Sequence, residues 1–202
     1  NIMVSNPFWC KTVSEYKAET ARWIESPDMQ NYMDLAIFFD AFAVAGDKTL
    51  LINLKDDLFN KLHDKDVFMA YFAKATLTFD TPKTNKLDIK KVAVFPIVQG
   101  IRSLALRERI RETTTVKRIK ILQDRGEIDK ELAAELLEAF DVVNPLRLKS
   151  QLEDIQDGKE IDNEIDTHTL GKIERDLLKD SLKIVVEFKR FITHKFKIDK
   201  IS

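Results

Sequence analysis

Hydrophobic residues recur at intervals of three and four along most of the chain, the spacing that places them on one face of an α-helix. Helix-capping residues, glycine and proline separate these stretches. The predicted fold is therefore all-α, an up-and-down helical bundle of about eight or nine helices after a short extended N-terminal segment at Ile2–Val4. The predicted helices cover residues 13–25, 29–45, 48–62, 65–77, 96–110, 116–125 and 130–156, and a last helix follows Asp166 or Thr167.

Several helix ends carry local signals. Thr12 and Glu15 form a capping-box pattern ahead of the first helix. The Thr113–Thr115 run can cap a later helix, and Gly126 can end it. Aspartates suited to the N-cap position precede four other helices, at Asp28, Asp47, Asp64 and Asp129.

Two prolines and one extended stretch qualify this pattern. Pro96 suits the first turn of its helix, where the missing N–H costs nothing. Pro145 lies inside the periodic stretch 130–156, which predicts one long kinked helix or two abutting ones. Leu87–Lys90 can be extended, and residues 79–86 contain turn-forming residues that favour a junction between subdomains.

The helix at 29–45 is apolar nearly all round, which is typical of a central helix in a bundle. Asp40 is the exception, a carboxylate close to three phenylalanines. The last helix shows alternating steps of three and four, as in an antiparallel seam, with one gap at Ser181. The predicted seam residues are Leu170, Ile173, Leu177, Ile184, Phe188 and Phe191.

Composition and charge limit the classes of protein. Over 202 residues, 44% are hydrophobic, so the chain can bury a sizeable core. Lysine and arginine number 33 against 34 acidic residues, so no overall field favours nucleic acid, and no specific nucleic-acid partner is expected. No apolar run is long enough to span a bilayer, so no membrane is expected either.

The cysteine and histidine content points to a reducing compartment. The single cysteine, Cys10, rules out an internal disulfide, and the three histidines lack metal-ligand spacing. We therefore expect a cytoplasmic protein without a structural metal. Because the chain starts at Asn1 within an apolar, strand-like segment, we also expect it to be a piece of a longer protein.

Arg102 is the first candidate for chemistry, since apolar residues flank it one turn away on both sides. Its guanidinium needs an anion. That anion is either an internal carboxylate, with Asp88, Asp141 and Glu174 as the candidates, or a phosphate or carboxylate ligand bound bidentately. Three other side chains could converge on the same place, Arg118, Arg147 and Gln151.

Two further features allow a structural and a functional interpretation. The threonines at 113–115 offer hydroxyls and N–H groups to a phosphate, although a threonine at this position usually only caps the helix. Asp40 can serve as a metal or substrate carboxylate, although a buried carboxylate more often accepts hydrogen bonds from the protein itself.

The chain resembles the bacterial family of putative nucleotidyltransferase substrate-binding domains. In this family a helical domain follows a nucleotidyltransferase domain related to the signal-protein uridylyltransferases, often behind cyclic-nucleotide-binding and CBS domains. The matching segments are LDIKKVAVFPIVQGIRSLAL at Leu87–Leu106, TTTVKRIKIL at Thr113–Leu122, LRLKSQ at Leu146–Gln151, and DNEID with LGKIERDLLKDSL at Asp162–Leu182. Nearer the start, IMVSNPFWC, ARWI and FFDAFAVAGD also match, at Ile2–Cys10, Ala21–Ile24 and Phe38–Asp47.

The resemblance implies a division of the chain and a set of site residues. Residues 1–27 would be the end of the nucleotidyltransferase domain with a linking helix, and residues 28–202 the substrate-binding bundle. The bundle would close over the nucleotide pocket of the upstream domain and contact the nucleotide and an acceptor. Polar motif positions implied as substrate-binding are Asp40, Asp88, Lys90, Arg102, Thr114, Arg118, Arg147 and Gln151; Met3, Ser5 and Asn6 match the same motifs.

The chain departs from the family in its catalytic equipment. The family's catalytic centre has a Gly-Ser turn followed by an Asp-x-Asp pair that binds magnesium and the triphosphate, and this sequence contains no Gly-Ser step. No catalytic residue is therefore predicted here, and Mg²⁺ and a nucleoside triphosphate are expected only with the full-length protein. Phe42 stands where relatives commonly carry arginine. The alternative is a regulatory interaction module, or a homodimerisation module, without a ligand pocket.

Overall fold

The computed structural model describes residues 9–75 and 86–201, and it confirms the all-α class. The described residues form eight α-helices, one short two-stranded sheet, a π-helical turn at Lys90–Val94 and a 3-10 turn at Ile198–Lys200. The helices are α1 Val13–Glu25, α2 Met29–Phe39, α3 Lys48–Lys61, α4 Asp66–Lys74, α5 Phe95–Arg107, α6 Thr115–Asp124, α7 Lys130–Gln156 and α8 Lys172–Lys195. Within the described ranges, no helix is long and apolar enough to cross a membrane.

Some predicted features lie outside the described residues. They are the extended segment at Ile2–Val4, the matching positions Met3, Ser5 and Asn6, and nearly all of the junction at 79–86.

Helix α5 lies at the centre of the bundle. Most of its apolar residues are buried, and it packs against α4, α6 and α8. A Cβ atom placed on Gly100 would lie only 2.5 Å from Cε1 of Phe188, so the absence of a side chain lets α5 approach α8 closely. Pro96 lies in the first turn of α5, as predicted, while the helix ends at Arg107, before the predicted end at Ile110.

The sheet joins two distant parts of the sequence. Strand β1, Lys86–Asp88, pairs antiparallel with β2, Glu164–Asp166, and Leu87 lies opposite Ile165. Both of these side chains are buried. The predicted extended segment at Leu87–Lys90 is thus confirmed only in part. The segment after α7 that was predicted as a polar connection contains strand β2, which buries Ile165.

The capping predictions are confirmed where the signal is local. Thr12 and Glu15 form the capping box of α1, with the Thr12 N–H donating to Glu15 at 2.6 Å. Residues 130–156 form one helix with Pro145 inside it. Three predicted aspartate caps accept from backbone N–H groups at the starts of α2, α3 and α7, namely Asp28, Asp47 and Asp129.

Two predicted helix starts are wrong. Helix α4 begins at Asp66 without a side-chain cap, and Asp64 instead adopts a left-handed backbone with φ of 60°. Helix α8 begins at Lys172 rather than after Asp166 or Thr167. There the carboxylate of Glu174 accepts from the N–H of Gly171 at 3.0 Å, so an acidic residue inside the first turn replaces the predicted cap.

Helix α2 ends at Phe39, whereas the prediction continued it to residue 45. Asp40 is the C-cap, and its carboxylate is held by two arginines from other helices. Beyond it, Phe42 and Val44 are largely exposed to solvent. These apolar residues suggested a continued helix, but they do not form a buried helix face.

The buried stripe of α8 also differs from the predicted seam. Ile173 and Leu177 are exposed, and Ser181, which looked like a gap, is buried with its hydroxyl donating to the carbonyl of Leu177 at 2.8 Å. Adjacent residues of an α-helix point about 100° apart. The buried stripe in the first half of α8 is therefore turned by about that angle from the predicted one. The residues that face the core are Leu178, Ser181, Val185, Phe188 and Ile192.

Candidate functional site

Three of the predicted site residues meet at one carboxylate. Asp40, at the end of α2, accepts from Nε of Arg102 at 3.0 Å through Oδ2. Its other oxygen, Oδ1, lies 2.7 Å from Nη2 of Arg118. Asp40, Arg102 and Arg118 are called the Asp40 cluster below. The internal partner of Arg102 is thus Asp40, and the predicted partners Asp88, Asp141 and Glu174 were wrong.

Two of the three side chains of the cluster are partly exposed to solvent. The side chains of Asp40 and Arg102 are 27% and 15% exposed, whereas that of Arg118 is 1% exposed. Arg102 also donates to the side-chain oxygen of the buried Gln99, one turn earlier on α5. An incoming ligand would therefore meet Asp40 and Arg102 before Arg118.

The buried guanidinium of Arg118 has three kinds of contact. Its Nε donates to the backbone carbonyl of Glu112 at 2.6 Å, and its Cζ lies 4.5 Å from the centre of the Phe39 ring. Its Nη2 contacts Asp40 without the geometry of a hydrogen bond. Burial lowers the pKa of Arg118, and the neighbouring Asp40 carboxylate opposes that shift.

Lys55, on α3, is a fourth member of this region that the sequence analysis missed. Only 4% of the residue is exposed, and its Nζ lies 5.7 Å from the centre of the same Phe39 ring. Burial lowers the pKa of Lys55 to about 8, with a further contribution from the positive charge of Arg118. One signal was available, because Lys55 directly follows Leu54 in a predicted helix whose leucines at 50, 51, 54, 58 and 62 are spaced for one buried face.

The start of α6 already holds an anion, supplied by the protein. The carboxylate of Glu112 accepts from the N–H groups of Thr113 and Thr114 at 2.7 and 3.0 Å, and from the Thr114 hydroxyl at 3.3 Å. These bonds lower the pKa of Glu112 to about 2. Thr114 is the N-cap residue of α6, but its side chain makes no capping bond.

Arg147 and Gln151 converge, but on a different residue. Nε of Arg147 and Nε2 of Gln151 donate to the side-chain oxygen of Asn163 at 2.6 and 3.3 Å. The backbone carbonyl of Asn163 in turn accepts from the N–H of Ile89 at 3.0 Å. These two predicted site residues therefore tie α7 to the sheet, and their described contacts do not include the Asp40 cluster.

Asp88 and Lys90 lie at the start of the π-helical turn. Oδ1 of Asp88 accepts from the N–H of Lys91 at 3.0 Å, and its other oxygen pairs with the Lys91 ammonium at 3.0 Å. Lys90 is exposed. The observed contacts of Asp88 are thus those of a local cap.

The described residues hold no group of three or more histidine, cysteine, aspartate or glutamate side chains suited to a metal ion. The sequence contains one Asp-x-Asp step, Asp64 and Asp66, which no Gly-Ser precedes. Both aspartates are exposed, Asp64 in the turn before α4 and Asp66 as the first residue of that helix. The donors of the described residues thus do not fit the Mg²⁺ that nucleotidyl transfer would need.

Comparison with known families gives two matches. A family model described as putative nucleotidyltransferase substrate binding domain matches residues 60–196, more than half of the chain. A second model, described as putative nucleotidyltransferase, matches residues 1–30. Neither the comparison with curated proteins nor that with solved structures returned a match. Arg102 and Arg118 lie within the larger matched segment, while Asp40 and Lys55 lie between the two.

Proposed function

Since this chain belongs to the family of putative nucleotidyltransferase substrate binding domains, we propose that it is the substrate-binding helical region of a bacterial nucleotidyltransferase. The reaction would move a nucleoside monophosphate onto a protein or a small acceptor. The observation that carries the proposal is the order of the two family matches, a nucleotidyltransferase segment at residues 1–30 followed by the substrate-binding bundle at 60–196.

The proposed chemistry divides between this chain and the linked nucleotidyltransferase domain. Transfer forms a bond from the acceptor to the α-phosphorus and breaks the bond to the β-phosphate, so pyrophosphate leaves. This sequence contains no Gly-Ser turn followed by an Asp-x-Asp pair, which is the family's catalytic motif. We therefore assign the triphosphate and Mg²⁺ to the linked domain, and this chain in isolation should not catalyse the transfer. Its own part is to bind and orient substrate.

The Asp40 cluster is the proposed contact surface for substrate. It brings together residues from the end of α2, from α5 and from α6, and Asp40 and Arg102 are partly open to solvent. Arginine guanidinium groups bind phosphates and carboxylates through paired N–H donors. The other predicted positions, Asp88, Lys90, Thr114, Arg147 and Gln151, stay predictions.

Transfer of label from a nucleoside triphosphate in the full-length protein tests this function. Arg102→Met should reduce transfer strongly while the melting temperature shows that the fold is retained. Lys48→Met, an exposed change at the start of α3, is the matched control and should leave transfer unchanged. Absence of any transfer by the unaltered full-length protein with all four nucleotides would argue against the proposal.

A second candidate function is a dimerisation or regulatory interaction module. Ile173 and Leu177 are exposed on α8, and Leu148 and Leu152 are exposed on α7. An ion pair of 2.8 Å between Lys149 and Glu174 joins the two helices at this place. Light scattering over a range of concentrations would favour this function if a dimer persists without nucleotide and dissociates in Ile173→Glu.

A further inference from the structure

The region around Phe39 contains more positive charge than its carboxylates balance. Lys55, Arg102 and Arg118 are three cations, and Asp40 is the carboxylate that Arg102 and Arg118 share. Two other carboxylates lie nearby, but both have partners. Glu112 is held by backbone N–H groups and by Lys117, and Asp56 pairs with Arg111.

One nitrogen atom of each of the two deepest cations, Lys55 and Arg118, has no hydrogen-bond acceptor among the described residues. Among the residues that the structure describes, none accepts a hydrogen bond from Nζ of Lys55, which lies 5.7 Å from the centre of the Phe39 ring. Nη2 of Arg118 is likewise buried without a hydrogen bond. An ammonium that is largely buried without a protein acceptor is costly, because the charge loses most of its water and gains no equivalent partner.

We propose that Lys55 and Arg118 form a binding site for a phosphate group, which supplies the negative charge and the acceptor oxygens that this interior lacks. The charges favour phosphate over a carboxylate. Three cations against one carboxylate leave an excess of two positive charges, and a phosphate monoester carries a charge of about −1.5 to −2 near pH 7. The inference deepens the proposed function and rests on it only for the source of the phosphate.

The four side chains of this region differ in exposure. Asp40 and Arg102 are partly exposed, whereas Lys55 and Arg118 are almost fully buried, and Asp40 pairs with both arginines. The incoming phosphate therefore competes with the carboxylate of Asp40 for the two guanidinium groups. Asp40 serves as an internal anion that holds the arginines in place until the ligand arrives.

The charge state of Lys55 gives the site a pH dependence. The charged groups that face Lys55 are Arg118 and Arg111, which lower its pKa, and Asp40 and Glu112, which raise it. Phosphate binding requires the ammonium form. Affinity should therefore be highest near pH 7 and fall as the pH rises above about 8.

Calorimetric titration and thermal melting of the whole chain test the site, with inorganic phosphate and a nucleoside triphosphate as probes. Sodium acetate at matched ionic strength is the control for general salt effects. The unaltered chain should bind phosphate, and Lys55→Met should weaken that binding by about tenfold or more. Lys48→Met, on the exposed face of the same helix, should bind as the unaltered chain does.

The results separate this inference from the proposed function. Equal phosphate affinity in the unaltered chain and in Lys55→Met overturns it, as does a melting shift that acetate reproduces. Asp40→Asn is a second test, because removal of the competing carboxylate should raise phosphate affinity, and an unchanged or lower affinity counts against the site. Phosphate bound through Lys55 without nucleotide transfer by the full-length protein supports the site and rejects the proposed function. Nucleotide transfer by the full-length protein that is unchanged in Lys55→Met supports the proposed function and rejects the phosphate site.

Discussion

Asp40 Oδ1 lies 2.7 Å from Nη2 of Arg118, so the carboxylate that ends helix α2 balances a guanidinium that is almost entirely buried. The second oxygen of Asp40 accepts from Arg102. A single carboxylate therefore joins the end of α2 to both α5 and α6. Its loss should change both the stability of the bundle and the binding of anions.

Asp40→Asn should lower the free energy of unfolding by roughly 3 kcal/mol at pH 7, because it leaves the charge of Arg118 buried without a counter-ion. Urea denaturation of the purified chain measures this change. Asp64→Asn is the control, since Asp64 is exposed and lies in a turn. A loss as small as that of the control would mean that Arg118 finds another partner.

Lys55→Met should stabilise the chain at pH 7, and the gain should shrink as the pH rises. The pKa of Lys55 is about 8 in the folded state, below the ordinary 10.5 of a lysine in water, so between these values the unfolded state binds more protons. The stability of the unaltered chain therefore rises with pH in this window, by an amount on the order of 1 kcal/mol or more. Methionine cannot titrate, so the difference between the two stability profiles isolates Lys55. A flat difference from pH 7 to 10 would contradict the buried ammonium.

Glu112→Gln should cost about 1 kcal/mol at pH 7, the usual value of a lost helix cap, because Gln accepts the Thr113 and Thr114 N–H groups more weakly. The folded-state pKa of Glu112 is about 2, below the ordinary 4.5. Its contribution is thus fully present above about pH 4.5 and is lost as the pH falls towards 2. Urea denaturation at pH 7 and at pH 3 measures this effect. The difference in the free energy of unfolding between the unaltered chain and Glu112→Gln should be smaller at pH 3.

Gly100→Ala should destabilise the bundle, although alanine favours a helix over glycine by up to about 1 kcal/mol. The added Cβ would lie 2.5 Å from Cε1 of Phe188, and crowding of this kind in a packed core costs about 1–3 kcal/mol. Phe188→Leu should make room for the added methyl group. Gly100→Ala should therefore cost less stability in the Phe188→Leu background than in the unaltered chain. An increase in melting temperature for Gly100→Ala would disprove the close approach of α5 and α8.

Sequence alone could predict the helical class and most helix starts, because caps depend on residues three or four positions apart. The Thr12–Glu15 box and the end of α6 at Gly126 are examples. The end of α2 could not be predicted in this way. Asp40 is held by Arg102, 62 positions away in the sequence, and by Arg118, which is farther still, so no local pattern contains the information.

The candidate site was predictable one residue at a time and not as an arrangement. Asp40 and Arg102 stood out as charges among apolar residues, and Arg118 as a side chain that could converge on the same place as Arg102, but their common contact depends on how three helices pack. Lys55 was missed because a lysine on an amphipathic helix usually keeps its ammonium in water. Here the stripe that contains it turns inward beside Phe39.

The position of the α8 seam can be decided by two adjacent leucines. Leu177 is 47% exposed and Leu178 is 2% exposed, although the sequence pattern favours Leu177 as the buried residue. Leu178→Ala should therefore cost about 2–5 kcal/mol, the range for a buried leucine, whereas Leu177→Ala should stay within about 0.5–1 kcal/mol. Urea denaturation of both variants measures the two costs in the same helix and with the same chemical change. If Leu177→Ala proves the more costly, α8 is rotated by one position from the arrangement described, and the buried stripe through Ser181 and Phe188 is wrong.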